Sequence, residues 1–149
     1  AARWERRSGR TIEIEVSSSL VMGEAVMLER AVGNLVSNAD KFSPPGAPIT
    51  MVSADGMVSV RDAGPGIPAA DLDRIFDRFY RSDVTRSMPG SGLGLSIVAQ
   101  IVRRHGGQVW ARNADGGGAE VGLRLQVVAD ADSVSDSTST SGATDSGSN

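Results

Sequence analysis

From Thr11 to Val16 apolar and polar residues alternate, with Ile12, Ile14 and Val16 on one side, the two-residue period of a half-buried strand. The period then changes. Between Glu24 and Phe42 the residues Leu28, Ala31, Val32, Leu35, Ala39 and Phe42 recur at steps of three and four and lay one broad apolar face along a helix. Glu29, Gly33, Ser37 and Asp40 fall off that face and are expected to meet water. Ile49–Ser53 and Met57–Arg61 predict strands around the turn Ala54-Asp55-Gly56. A Gly/Pro loop, DAGPGIP, follows the second of these directly. Ala69–Phe76 predicts a short helix, and Tyr80–Ser91 is polar and irregular. Gly92–His105 predicts a second long helix, with Gly106 as its stop. Gly107–Arg112 and Ala119–Val128 predict closing strands around a Gly-rich turn at 115–118. Helices interleaved with hairpin-like strand pairs predict an α/β class: a two-layer α/β sandwich, a mixed and mostly antiparallel sheet on a layer of helices.

The two ends break the pattern. Residues 130–149 are almost all Ser, Thr, Asp, Gly and Ala, with Val134 the one large apolar residue, so a disordered tail is expected. Residues 1–10, AARWERRSGR, are basic and polar and suggest the end of a linker from an upstream domain. One domain is expected between them, over 11–129.

Composition narrows the chemistry. The chain has no cysteine, which excludes disulfides, thiolate metal sites and cysteine nucleophiles. A net charge of −3 argues against a nucleic-acid surface. No apolar run nears the roughly 20 residues that span a bilayer, so no membrane contact is expected of these residues. Of the 15 basic residues 14 are Arg, and the one Lys is Lys41. A compact ammonium is not interchangeable with a guanidinium fork, which hints that position 41 requires a point charge.

Three segments carry candidate chemistry. Asn34, Asn38 and Lys41 stand at i, i+4 and i+7 in a narrow stripe beside the apolar face of the first helix. An amide oxygen suits Mg²⁺ as a hard ligand, and a neighbouring ammonium suits a phosphate; surface placement of two asparagines would leave the same pattern. In DAGPGIP, Gly64 and Gly66 allow backbone to approach a ligand closely, and Asp62 can accept from an exocyclic amine. An Asp capping its own turn would also read this way. The second loop, Gly90-Ser91-Gly92-Leu93-Gly94-Leu95, runs into a helix, whose N-terminal amides form an anion site. Neither loop is a P-loop, since G-x-x-x-x-G-K-[ST] is absent. A dinucleotide fingerprint fits the first loop poorly, because two prolines interrupt it and the following helix is short.

Four segments then stand in order: NLVSNADKF, DAGPGIP, IFDRFYRS and GSGLGLSIV. Together they resemble the N, G1, F and G2 boxes of the catalytic ATP-binding domain of bacterial sensor histidine kinases, of the GHKL superfamily and Bergerat fold. The resemblance covers about residues 11–128. It implies ATP and Mg²⁺ as cofactors. Asn38 would coordinate Mg²⁺, with Asn34 supporting the metal–phosphate cluster, Lys41 on the phosphates and Phe42 near adenine. Asp62 would accept from the adenine amino group, in a pocket shaped by Gly64 and Gly66, with Ile67 alongside. Phe76 and Phe79 would anchor the base of an ATP lid over 80–91, and Arg81 would face the phosphates. Gly90, Ser91, Gly92, Leu93, Gly94 and Leu95 would hinge the lid and meet the phosphates. Asn34, Lys41 and Arg81 are the residues expected to act in transfer.

The resemblance also implies a branch. Superfamily ATPases and the related serine kinases carry Glu four residues before the metal-binding Asn, as general base. Here that position is Asn34, which cannot take a proton. A histidine acceptor fits, because neutral imidazole is already a nucleophile. The expected partner is therefore a phosphoacceptor and dimerisation domain of the same parent protein, with a response regulator met indirectly. The expected location is cytoplasmic, in a parent anchored in the inner membrane. His105, followed by two glycines, does not match an acceptor and is assigned a structural role, so the chain alone is not expected to autophosphorylate. The alternatives are another GHKL ATPase or serine kinase, or a nucleotide-binding regulatory module without catalysis.

Overall fold

The computed structural model describes residues 10–17, 19–78 and 94–129. In chain order the elements are β1 (Ile12–Val16), β2 (Leu20–Val21), α1 (Ala25–Phe42), β3 (Ile49–Ala54), β4 (Met57–Arg61), a 3-10 turn (Ala69–Asp71), α2 (Gly94–Arg104), β5 (Gln108–Asn113), β6 (Ala119–Arg124) and β7 (Val127–Ala129). Five strands form one sheet in the order β1-β3-β4-β6-β5. β1 runs parallel to β3, and the other neighbours are antiparallel. A parallel pair needs a crossover, and α1 lies within the connection that supplies it.

Both helices pack on one face of this sheet. Strand alternation places Ile12, Ile49, Val60, Val121 and Leu123 on that face, where they meet Ala31, Leu35, Val36 and Ala39 of α1 and Val98, Ile101 and Val102 of α2. The result is the expected two-layer sandwich. The buried stripe of α1 is displaced from its predicted face, since Val36 is buried while Val32 and Phe42 are only half-buried. The reason is that α1 packs on α2 and on the sheet at once. Asp40, expected in water, receives Nε–H of the buried Arg10 at 2.6 Å. Arg10 also donates to the carbonyls of Pro44, Ala47 and Ser43. Arg10, which the sequence pattern groups with the leading segment, thus clamps the end of α1.

Two expectations about elements are corrected. Ala69–Phe76 is a 3-10 turn over Ala69–Asp71 followed by further turns, because Ile75 and Phe76 pack against the core and so short a segment gains little from helical cooperativity. The strand expected over Ala119–Val128 breaks after Arg124, where its ladders with β4 and β5 both end, opposite Met57 and Gln108. The chain then crosses Gly56, with Leu125 N–H on the Gly56 carbonyl at 2.8 Å, and β7 pairs with the unforeseen β2. The end of α2 is as expected. Gly106 has φ +72°, its N–H bonds Arg103 O at 3.0 Å, and Gly107 N–H bonds Val102 O at 2.9 Å, a Schellman motif.

His105 closes that end and reaches across to the other helix. Nδ1 lies 2.7 Å from Ile101 O, and the backbone N–H of Glu24 donates to Nε2 at 3.1 Å. These contacts require the neutral tautomer with hydrogen on Nδ1. Glu24 is the N-cap of α1 and makes no side-chain cap bond, so the imidazole takes up one amide at the start of this helix.

Candidate functional site

The ends of β4, β5 and β6 meet the end of α1 at one edge of the sandwich. Asp62 follows β4 and is buried. Its Oδ1 accepts two backbone N–H groups, Gly64 at 2.9 Å and Ala119 at 3.0 Å. Its own N–H donates to Ala119 O at 2.9 Å. The carboxylate is therefore fixed through one oxygen, and no bond from a described residue falls on Oδ2. An oxygen held in this way is a pre-oriented acceptor.

The DAGPGIP loop is shaped from three directions. Ser43, the C-cap of α1, accepts the Ala63 N–H on its hydroxyl at 3.1 Å. A Cβ on Gly64 would stand 2.6 Å from the carbonyl oxygen of Phe42, so this loop lies directly on the last turn of α1. At the other end Asn113 grips Ile67: Oδ1 accepts its N–H and Nδ2 donates to its O, both at 2.7 Å. Gly118 follows the turn after β5 at φ +81°, where a side chain would strike the Asp62 carbonyl.

The stripe on α1 is half-buried at Asn34, Asn38 and Lys41. The Asn34 Nδ2 is buried with no hydrogen-bond partner among the described residues. A buried amide donor without an acceptor is costly, and a ligand oxygen would relieve it. Among the described residues no three His, Asp or Glu stand together as a metal site. A cation here would thus draw on amide oxygens and on the phosphates of its own nucleotide. That donor set suits Mg²⁺.

The structure brings Asp62, Gly64, Gly66 and Ile67 together in one loop against Phe42. Ile67 and Leu95 pack on the edge of the core, and Gly94 opens α2. Phe79, Arg81, Gly90, Ser91, Gly92, Leu93 and the lid over 80–91 lie outside the described residues. Sequence reasoning missed Asn113, Ala119, Ser43 and Gly118. Gly118 carried a signal as the last of three glycines before a strand. The others carried none, since they act through backbone groups or at a distance in sequence.

On the opposite face of the sheet a second polar cluster joins the same strand ends. Glu120, 6% exposed, accepts from Ser59 Oγ at 2.8 Å and from Arg112 Nε and Nη2 at 2.8 and 2.6 Å. Arg61 Nη2 lies 3.7 Å away. Burial alone would raise the Glu120 pKa, but the Ser59 hydroxyl and the two arginines outweigh it and hold the carboxyl below the usual glutamate range.

A buried carboxylate held through one oxygen, a glycine loop on a helix end and a buried unpaired amide on that helix, among the described residues, are groups that a nucleotide-binding α/β domain would use. Residues 23–129 match the family described as histidine kinase-, DNA gyrase B-, and HSP90-like ATPase, and the chain belongs to that family. It is 43% identical over 128 residues to the signal transduction histidine-protein kinase/phosphatase MprB of Mycolicibacterium vanbaalenii, covering 83% of this chain and 26% of that protein. The chain thus spans about a quarter of the length of the curated relatives it matches. Among solved structures it is similar to a mycobacterial sensor histidine kinase MprB, with TM-score 0.79 and 38% identity over 86% of this chain and 91% of that one. It is also similar to full-length ShkA in complex with AMPPNP, with TM-score 0.68 and 31% identity over 85% of this chain and 27% of that one. These likenesses identify it as a catalytic ATP-binding domain of the sensor histidine kinase kind.

Proposed function

We propose that the domain binds Mg-ATP and positions the γ-phosphoryl group for transfer to a histidine on a separate phosphoacceptor and dimerisation domain, in two-component signalling. The observation that carries this reading is Asp62, held through Oδ1 by two amides with Oδ2 left for a ligand. In this reading Oδ2 accepts from the adenine amino group. Gly64, Gly66, Ile67 and Phe42 surround the base, with Leu95 and Phe79 beside it. Asn38 offers its amide oxygen to Mg²⁺, and the buried Nδ2 of Asn34 meets a phosphate oxygen. Lys41, Arg81 and the amides of 90–94 take the remaining phosphate charge. Bound Mg²⁺ would neutralise charge on the phosphates.

In the transfer an imidazole nitrogen of the acceptor attacks the γ-phosphorus. The bond to the β,γ-bridging oxygen breaks and ADP leaves with its electron pair. The proton on the other imidazole nitrogen passes to solvent. Asn34 cannot act as a base, and this step needs none from the domain. The response regulator is met only through the acceptor domain, and the parent is placed at the inner membrane with this domain in the cytoplasm. Among the described residues no helix is long and apolar enough to cross a membrane.

Calorimetric titration of AMP-PNP with Mg²⁺ tests the reading, using the wild-type chain and Asp62→Asn. The substitution keeps an oxygen for the two amide donors and puts an NH₂ where Oδ2 faces the ligand. Wild type is expected to bind, and the variant to lose about 2 kcal/mol, roughly 30-fold in affinity. Absence of wild-type binding with Mg²⁺ present would refute the reading.

A further inference from the structure

Asn113 ends β5 on the helix-facing side of the sheet and is exposed to solvent. It takes part in no core packing, yet both polar atoms of its amide are committed to the backbone of one residue, Ile67, 46 positions away. In the sheet Asn113 is paired with Ala119. Ala119 is the residue whose N–H holds Asp62 Oδ1. One rung of the β5–β6 ladder therefore fixes both ends of the glycine loop, Asp62 through Ala119 and Ile67 through Asn113. Between them lies Gly66 at φ +82°, where a Cβ would stand 2.8 Å from Asn113 Oδ1. Glycine-rich backbone has many accessible conformations and holds one only where it is tied.

We propose that Asn113 is a positioning residue for nucleotide binding. It sets the Gly64–Ile67 segment against the adenine side of the pocket without touching the ligand. This rests on the nucleotide reading above. Asn113→Ala removes both ties and leaves the core intact. Asn113→Asp keeps the acceptor for the Ile67 N–H but sets a carboxylate oxygen against the Ile67 carbonyl, so it is expected to rescue little.

The test measures calorimetric affinity for Mg²⁺ with AMP-PNP and, separately, for adenosine. It adds amide hydrogen exchange at Ile67 and the thermal midpoint without nucleotide. Asn113→Ala is expected to weaken both ligands by a similar factor of about five, as for two solvent-exposed hydrogen bonds lost. Ile67 exchange should accelerate while the nucleotide-free midpoint stays put. If wild type binds and Asn113→Ala binds equally well, the positioning role is wrong and the nucleotide reading stands. A loss of affinity accompanied by a matching fall in the nucleotide-free midpoint also overturns the role, since Asn113 would then be merely structural. Wild type failing to bind either probe overturns the nucleotide reading and this role with it.

Discussion

Glu120→Ala should lower stability by an amount that can be worked out from its partners. Ser59 is 1% exposed, and the substitution strips its hydroxyl of the acceptor 2.8 Å away, which costs about 1–3 kcal/mol. The Arg112 side chain is 62% exposed, so its freed guanidinium rehydrates and its lost pair contributes at most about 1 kcal/mol. The sum is about 1–4 kcal/mol, or roughly 4–16 °C in the thermal midpoint of a domain this size. Differential scanning calorimetry at pH 7 measures it. Adding Ser59→Ala to Glu120→Ala should recover part of the loss, because no orphaned hydroxyl remains. A single-variant midpoint within about 1 °C of wild type, or a double variant no better than the single, would refute this account. The pH dependence has a definite sign. The folded pKa of Glu120 is depressed, so its stabilisation is fully present above the unfolded value of about 4.3 and is lost as pH falls through the lower folded value. Glu120→Gln should therefore flatten the acid limb of the stability curve below about pH 4.3.

Two further perturbations probe the frame around the site. Arg10→Met keeps the apolar stem but leaves Asp40 and the carbonyls of Ser43, Pro44 and Ala47 without their donor, and should cost about 2–4 kcal/mol by urea denaturation; a change under about 0.5 kcal/mol would show that water replaces the guanidinium at no penalty. Gly118→Ala sets a methyl against the Asp62 carbonyl at a positive φ, so it should cost at least about 2 kcal/mol and abolish detectable AMP-PNP binding. Wild-type affinity in that variant would mean that Asp62 does not need its present position.

Much of this architecture can be read from periodicity, because the two-layer fold imposes it. The two-residue period of 11–16 marks the strand β1 correctly, but of its apolar side only Ile12 is buried, and Ile14 and Val16 are exposed. The three-to-four period of 24–42 reflects a helix held against both the sheet and α2. The break after Arg124 is not visible in that way: Leu125, Val127 and Val128 keep the segment strand-like, and only the length of the neighbouring strands ends the pairing. Asp40 misled because an i-to-i+4 pattern says which side of a helix is polar, not whether a buried partner distant in sequence, such as Arg10, waits there. In the site, Asp62, Gly64 and Gly66 announce themselves by residue type, since few other residues do what they do. Asn113, Ser43 and Ala119 do not, because their work is done on or by backbone groups that any sequence contains. The cluster around Glu120 was equally silent, as its members are scattered over three strands that only the register brings together.

The chain's one histidine has both of its ring nitrogens engaged, one with a carbonyl of its own helix and the other with the first amide of the opposite helix. An imidazole accepts a phosphoryl group through a nitrogen lone pair, and the lone pair of His105 is occupied by Glu24. A domain whose proposed task is to hand a phosphoryl group to an imidazole elsewhere thus keeps its own imidazole from competing as a decoy. To phosphorylate His105 would mean releasing the Glu24 amide that ties the start of α1 to the end of α2, the two helices that carry the proposed nucleotide-facing segments.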